Sequence, residues 1–213
     1  RRHNQPGCVV AVVADGKVVL EHAAGWADLS TGRRLTPRHR HRVASHSKAF
    51  TAAAVMVLRE AGRLNLDTPV GRYVEGLHPE IATLNLAQLL SHSGGLIRDG
   101  GGSGQWDNSR EFLNRDELMV DLAKPPVLAP STHFKYSNHG FGLAGLVVEA
   151  VTGETYCDWV TREIIAASGL TETRPDAPFG RRGPVARGHS MVLPLGRRVV
   201  VPGDNPTHGL APA

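Results

Sequence analysis

The chain has 213 residues, 41% hydrophobic and 21% charged, with a net charge of +4 and a pI near 9.4. This composition suits a globular protein with one sizeable core or two small lobes, and it excludes extended disorder. No apolar run reaches the roughly 18 to 20 residues of a membrane span, and the two cysteines, Cys8 and Cys157, are too far apart in sequence for a CxxC redox pair or a metal knuckle.

GCVVAVVADGKVVLEHAAG (Gly7 to Gly25) holds two β-branched runs on either side of Asp15-Gly16, which predicts an antiparallel hairpin. WADLSTGRRLTP is turn-rich. The basic stretch RRLTPRHRHR (Arg33 to Arg42) lacks interleaved aromatics, so it reads as a solvated loop rather than a nucleic-acid surface. VASHSKAFTAAAVMVLREAG (Val43 to Gly62) reads as a buried helix, with Phe50, Ala53, Ala54, Val57 and Leu58 on its apolar face and Gly62 in the cap position. Asn85 and Gln88 have capping-box spacing ahead of a short apolar helix, and the glycine-rich run SGGLIRDGGGSGQWDNSR is a loop. Asn114 caps a helix over RDELMVDLAK, which Pro125 and Pro126 stop. Next come a short extended piece, a turn at Tyr136-Ser137-Asn138, an apolar helix ending at Gly153, and a helix over Tyr156 to Ala167. Beyond Leu170 the pattern is loop-like apart from a hairpin in MVLPLGRRVVVPG. The order predicts an α/β (α+β) architecture with a helical lobe. A lone hairpin is marginal in water, so further strands or a covering helix are expected against it.

The chemistry concentrates at the front of the long helix. Ser45 and Lys48 are three residues apart and share a face. A helix N-terminus there offers unpaired backbone N–H groups and partial positive charge for a developing oxyanion. Lysine, unlike arginine, can act as a base, and Lys48 is one of only four lysines among 24 basic residues. Tyr136 and Asn138 form a Y-x-N pair; a tyrosine whose pKa is lowered by ammonium neighbours suits acid/base work. Taken alone, such a tyrosine is more often a half-buried aromatic with a wet hydroxyl, and such an asparagine more often just a helix N-cap. Ser47 is the rival hydroxyl, but it points about 200° around the helix from Ser45.

In their order and separations, Ser45-His46-Ser47-Lys48, then LLSHSGGL (Leu89 to Leu96), then Tyr136-Ser137-Asn138 resemble the serine beta-lactamase and penicillin-binding protein superfamily. The branch is that of class C beta-lactamases, D-alanyl-D-alanine carboxypeptidases, D-aminopeptidases and beta-lactamase-fold esterases. The likeness extends over roughly residues 6 to 175, taking in the hairpin, GRLNLDTPVGRYV and VVEAVTGETYCDWVTREII. It implies a beta-lactamase-like fold, an antiparallel sheet with flanking helices plus a helical lobe. It further implies Ser45 as nucleophile, Lys48 as base or proton shuttle, Tyr136 as partner acid/base and Asn138 as a substrate-binding amide. A third family motif, Lys-Thr-Gly or His-x-Gly on a late strand, has no match in a strand-like setting; Thr207-His208-Gly209 follows a proline and runs into LAPA. The expectation is therefore one beta-lactamase-like domain over residues 1–213 that lacks its C-terminal strands. Residues 1–62 would hold the hairpin and nucleophile helix, 63–170 a mainly helical lobe and 171–213 an irregular tail.

The expected function is a serine hydrolase that forms an acyl-enzyme on a beta-lactam, a D-amino-acid peptide or a short ester. The alternative is a penicillin-recognising or scaffold protein of the same fold without turnover. No cofactor or metal is expected, because the eleven histidines lack the i, i+4 pairing of a zinc helix, and His92 reads as a packing residue that orders its loop. The G-x-S-x-G elbow is absent, since Gly101-Gly102-Ser103-Gly104 is followed by Gln105. The expected partners are a small-molecule or peptide substrate and a missing C-terminal segment of the same protein, with no nucleic acid and no membrane span. RRHNQPG has no apolar stretch of signal-peptide type and does not begin with Met, which leaves both a cytoplasmic and an exported protein open.

Overall fold

Asp15 and Gly16 close the first hairpin with φ of 49° and 71°, the two positive values that a two-residue type I′ turn demands. Strands β1 (Gly7–Ala14) and β2 (Lys17–Asp28) pair antiparallel from Gly7 opposite Gly25 to Ala14 opposite Lys17, with a bulge at Val12/Val13. The coordinates are a computed structural model and describe residues 5–100, 113–175, 185–191 and 198–200. They divide into two compact units, one of residues 1–42 and 179–204, the other of residues 43–178 and 205–213.

In the first unit β2 runs past Gly25 to Asp28 and pairs with β3 (Arg33–Arg34), so the turn-rich segment adds a third strand in the order β1-β2-β3. The basic stretch is built into the structure more than a solvated loop would be. The Arg34 guanidinium lies 3.9 Å from the Trp26 ring centroid, and Arg33 Nη2 donates to the Val185 carbonyl at 3.1 Å. His39 is buried, and its Nδ1 accepts the Thr36 backbone N–H. Strands β4 (His189–Met191) and β5 (Arg198–Val200) pair antiparallel as the predicted late hairpin. Among the described residues the sheets have three and two strands, and Val13, Val18 and Val19 of the first hairpin remain exposed. The protein is thus a mixed α/β fold with small antiparallel sheets and a helical portion.

The second unit is helical. Helix α1 (Ser47–Glu60) follows a 3₁₀ turn over Ala44–His46 and ends where Gly62 takes φ 67° and Arg63 N–H bonds the Leu58 carbonyl, a Schellman closure. Its buried face is Lys48, Thr51, Ala54, Val55 and Leu58, rotated from the predicted stripe. Val57 is exposed, while Phe50 and Ala53 only lean on the core. A polar pair helps set this rotation, for Thr51 Oγ1 lies 2.7 Å from the Tyr156 hydroxyl in the interior.

A one-turn helix that the sequence reading missed, α2 (Pro79–Ala82), is capped by His78 and starts on a proline. Helices α3 (Leu86–Leu90) and α4 (Arg115–Leu122) open with complete capping boxes, Asn85/Gln88 and Asn114/Glu117. Helix α5 (Asn138–Thr152) is capped by Ser137 rather than Asn138, and it ends at Gly153 with φ 75°. Helix α6 (Tyr156–Val160) passes into a π-helical turn over Thr161–Ala166, so the last predicted helix changes pitch halfway. Every residue of α5 from His139 to Val148 is buried. A helix apolar all round belongs at the centre of a core, and α5 lies there, surrounded by Ala54, Val55, Leu58, Leu86, Leu89, Leu118, Leu122 and Trp159.

Candidate active site

Ser45 sits in the 3₁₀ turn just ahead of α1. Its neighbour Ala44 has φ 45°, a left-handed conformation that costs a non-glycine residue on the order of 1 kcal/mol or more and that clusters at functional sites. In a 3₁₀ turn residues i and i+3 eclipse, so Ser45 and Lys48 stay aligned although the α-helix starts later than predicted. Ser45 is exposed; Lys48 is only 8% exposed.

The second wall comes from the segment that leads into α5. Tyr136 OH lies 2.7 Å from Ser45 Oγ, and Lys48 Nζ donates to Asn138 Oδ1 at 2.6 Å. Lys48 Nζ also lies 4.9 Å from the Tyr136 ring centroid. All four residues singled out from the sequence, Ser45, Lys48, Tyr136 and Asn138, therefore meet at one place in the second unit. Both ends of the Asn138 amide are engaged within the protein, because its Nδ2 donates to Asp99 Oδ1 at 2.6 Å. Ser47, the rival hydroxyl, is the half-buried first residue of α1.

His92 orders this wall. It holds φ 57°, and its Nδ1 accepts the Ser137 backbone N–H at 3.2 Å, which puts the ring proton on Nε2. Its ring packs on Tyr136 at 4.4 Å and on Phe141 at 5.1 Å between centroids. Burial, then the Lys48 charge, push His92 below its ordinary pKa, so the ring is neutral at pH 7. For Tyr136 burial alone would raise the pKa. Hydrogen bonding with Lys48 and Ser45 and the charges of Lys48 and Arg98 outweigh it, leaving the phenol below its ordinary 10.

Two residues next to this cluster escaped the sequence reading. Asp99 accepts from Asn138, and the Arg98 side chain pairs with it, Nε to Oδ2, at 3.1 Å. They lie in a loop whose glycine content carried the prediction, and no spacing marks them. Of that loop, residues 101–112 lie outside the described residues, as does Thr207-His208-Gly209. Among the described residues no group of three or more His, Cys, Asp or Glu side chains could hold a metal ion, and no helix is long and apolar enough to cross a membrane. Cys8 is exposed and Cys157 buried, and neither is in a disulfide.

The Beta-lactamase family model matches residues 1–212. The chain is 28% identical over 172 residues to Protein flp of Staphylococcus aureus (strain MRSA252), covering 79% of this chain and 34% of that protein. It is likewise 28% identical over 176 residues to Penicillin-binding protein 4* of Bacillus subtilis (strain 168), covering 81% of this chain and 38% of the relative. The chain thus spans little more than a third of the length of these relatives. A class C beta-lactamase from Rhodobacter sphaeroides superimposes with a TM-score of 0.77 at 28% identity, over 99% of this chain and 57% of that one. With nearly its whole length matched by the family model and its fold shared with these proteins, the chain belongs to the Beta-lactamase family, within the serine beta-lactamase and penicillin-binding protein superfamily.

Proposed function

We propose that the protein is a serine acyl-transfer hydrolase in which Ser45 is the nucleophile. The observation that carries the reading is the 2.7 Å contact between Ser45 Oγ and Tyr136 OH, with the Lys48 amine held beside it by Asn138. The Ser45 oxygen attacks a substrate carbonyl carbon while its proton passes to the Tyr136 oxygen, and Lys48 balances the charge that develops. The carbonyl π pair moves onto oxygen and returns as the bond to the leaving nitrogen or oxygen breaks. Tyr136 hands its proton to that leaving atom. Water then attacks the Ser45 ester by the reverse path, giving an acid and free enzyme. The lowered Tyr136 pKa supports the base role, because a larger fraction of phenolate is then present near neutral pH.

The substrate class that fits is a beta-lactam, a peptide ending in a D-residue, or a short ester. This range rests on relatives and structural neighbours named as penicillin-binding protein, beta-lactamase and D-alanine carboxypeptidase. Mass spectrometry after exposure to a penicillin and to a chromogenic ester tests it. The hydrolase reading expects a transient adduct on Ser45, product release and recovery of the free mass, all lost in Ser45→Ala. A stable adduct would instead make the protein a penicillin sensor. Labelling that survives Ser45→Ala but not Ser47→Ala would move the nucleophile.

A further inference from the structure

The loop after the glycine pair Gly94-Gly95 is laid along the start of α5 almost residue for residue. Ser137 Oγ donates to the Ile97 carbonyl at 2.6 Å, the Asn138 backbone N–H donates to the Arg98 carbonyl at 2.8 Å, and the Asn138 amide nitrogen reaches Asp99. Gly100 comes next, where a Cβ would lie 2.0 Å from Asp121 Oδ2, the oxygen that also meets His139 Nε2 at 3.0 Å. These contacts run on both sides of the Asp99 carboxylate, which is 15% exposed.

The carboxylate's position matters because a side-chain amide has two unlike ends. A carboxylate oxygen only accepts, an ammonium only donates, and an asparagine does one at each end. Asp99 takes the Asn138 nitrogen and leaves its oxygen for Lys48, so the row Lys48, Asn138, Asp99 runs donor to acceptor without conflict. The flipped amide would set oxygen against carboxylate and NH₂ against ammonium. Charged hydrogen bonds are the stronger kind, and both ends of the row are of that kind.

We propose that Asp99 is a positioning residue of the acyl-transfer site: it orients the Asn138 amide so that its oxygen faces Lys48 and holds that amine at the Ser45–Tyr136 pair. This rests on the acyl-transfer reading above. The role falls to Asp99 through its acceptor-only chemistry, not its bulk. Asp99→Asn keeps the shape but can donate as well as accept, which removes one of the two constraints on the Asn138 amide and leaves Lys48 alone to set its orientation. Asp99→Glu keeps the acceptor.

Two measurements on the protein test this. In acylation kinetics, Asp99→Asn is expected to slow acylation by about 10- to 100-fold with little change in KM, as loss of one oriented charged hydrogen bond would. Asp99→Glu should recover part of that loss, and Asp99→Asn should add almost nothing once Asn138 is already Ala. In proton–nitrogen NMR, the Asn138 side-chain NH₂ signal, identified by its absence in Asn138→Ala, should move in Asp99→Asn and stay in Ser45→Ala. An unmoved amide signal, or equal rate losses with and without Asn138, overturns the proposal. Absence of any Ser45 adduct on the unsubstituted protein overturns the acyl-transfer reading instead, while the NMR signal still decides the amide's orientation.

Discussion

Tyr136→Phe removes one oxygen and leaves a ring, which makes it the sharpest probe of the site. The oxygen lies 2.7 Å from Ser45 Oγ, whereas the ring's packing on His92 at 4.4 Å does not depend on it. The hydroxyl is partly exposed, so its loss should cost no more than about 1 kcal/mol of stability. Its chemical cost should be larger, because a positioned acid/base contributes about 10²- to 10⁴-fold, or about 3 to 5 kcal/mol of barrier. The pH dependence carries a sign. If the phenolate takes the Ser45 proton, acylation rises with pH through the Tyr136 pKa and is lost as pH falls through it. Since that pKa lies below 10, the plateau should arrive earlier than for a free tyrosine, and the Phe variant should lack the limb. Time-resolved acylation by a chromogenic ester across pH, beside a melting curve at each pH, measures both. A variant that keeps the alkaline limb, or acylates within about threefold of the unsubstituted protein, a barrier change of under 1 kcal/mol, refutes the role of Tyr136.

Two further outcomes follow from groups the site leans on. Thr51→Val strands the Tyr156 hydroxyl, which burial has pushed up to about 12, and should cost about 1 to 3 kcal/mol in urea denaturation. Adding Tyr156→Phe should restore most of that loss, and an additive double variant would show that the pair is not coupled. His92 binds its proton less readily when folded than when unfolded, so its contribution to stability is full above the unfolded value near 6.5 and is lost as pH falls below it. His92→Asn, which tolerates the φ of 57° and keeps an acceptor for Ser137 N–H, should show a shallower fall in melting temperature between about pH 7.5 and pH 5. Parallel curves for the two proteins would contradict that.

Local signals carried the fold a long way. Asp15-Gly16, Gly62 and Gly153 announce backbone that must take positive φ, and all three do. The capping box at Asn85 and the cap at Asn114 are written as local side-chain chemistry, and both form, the second as a full box with Glu117. The rotation of α1 was not legible, because Val57 and Val55 are equally apolar and only a partner helix decides which is buried. The choice lies partly with Thr51, a polar residue whose hydroxyl finds Tyr156 105 positions later. Nor did any sequence signal separate the π-helical turn at Thr161–Ala166 from ordinary helix.

The site divides along the same line. Ser45 with Lys48 is a local relation, one turn of chain, and Tyr136 with Asn138 is another. Neither pair is decisive alone; their joint occurrence is what marks them. The second pair is held against the preceding loop by backbone hydrogen bonds that involve no distinctive side chain: Lys135 N–H to the His92 carbonyl, Ser131 N–H to the Ser93 carbonyl, Asn138 N–H to the Arg98 carbonyl. Any residue type but proline could make those bonds, so composition says nothing about them. Asp99 takes its position from that lacing, from its ion pair with Arg98 and from Gly100, whose missing Cβ leaves room beside Asp121. The groups able to do chemistry are therefore named by local spacing, while the group able to orient them is named only by the register of a loop. Gly100→Ala separates the two, since it should displace Asp99 and disturb Asn138 while leaving the Ser45–Lys48 turn in place.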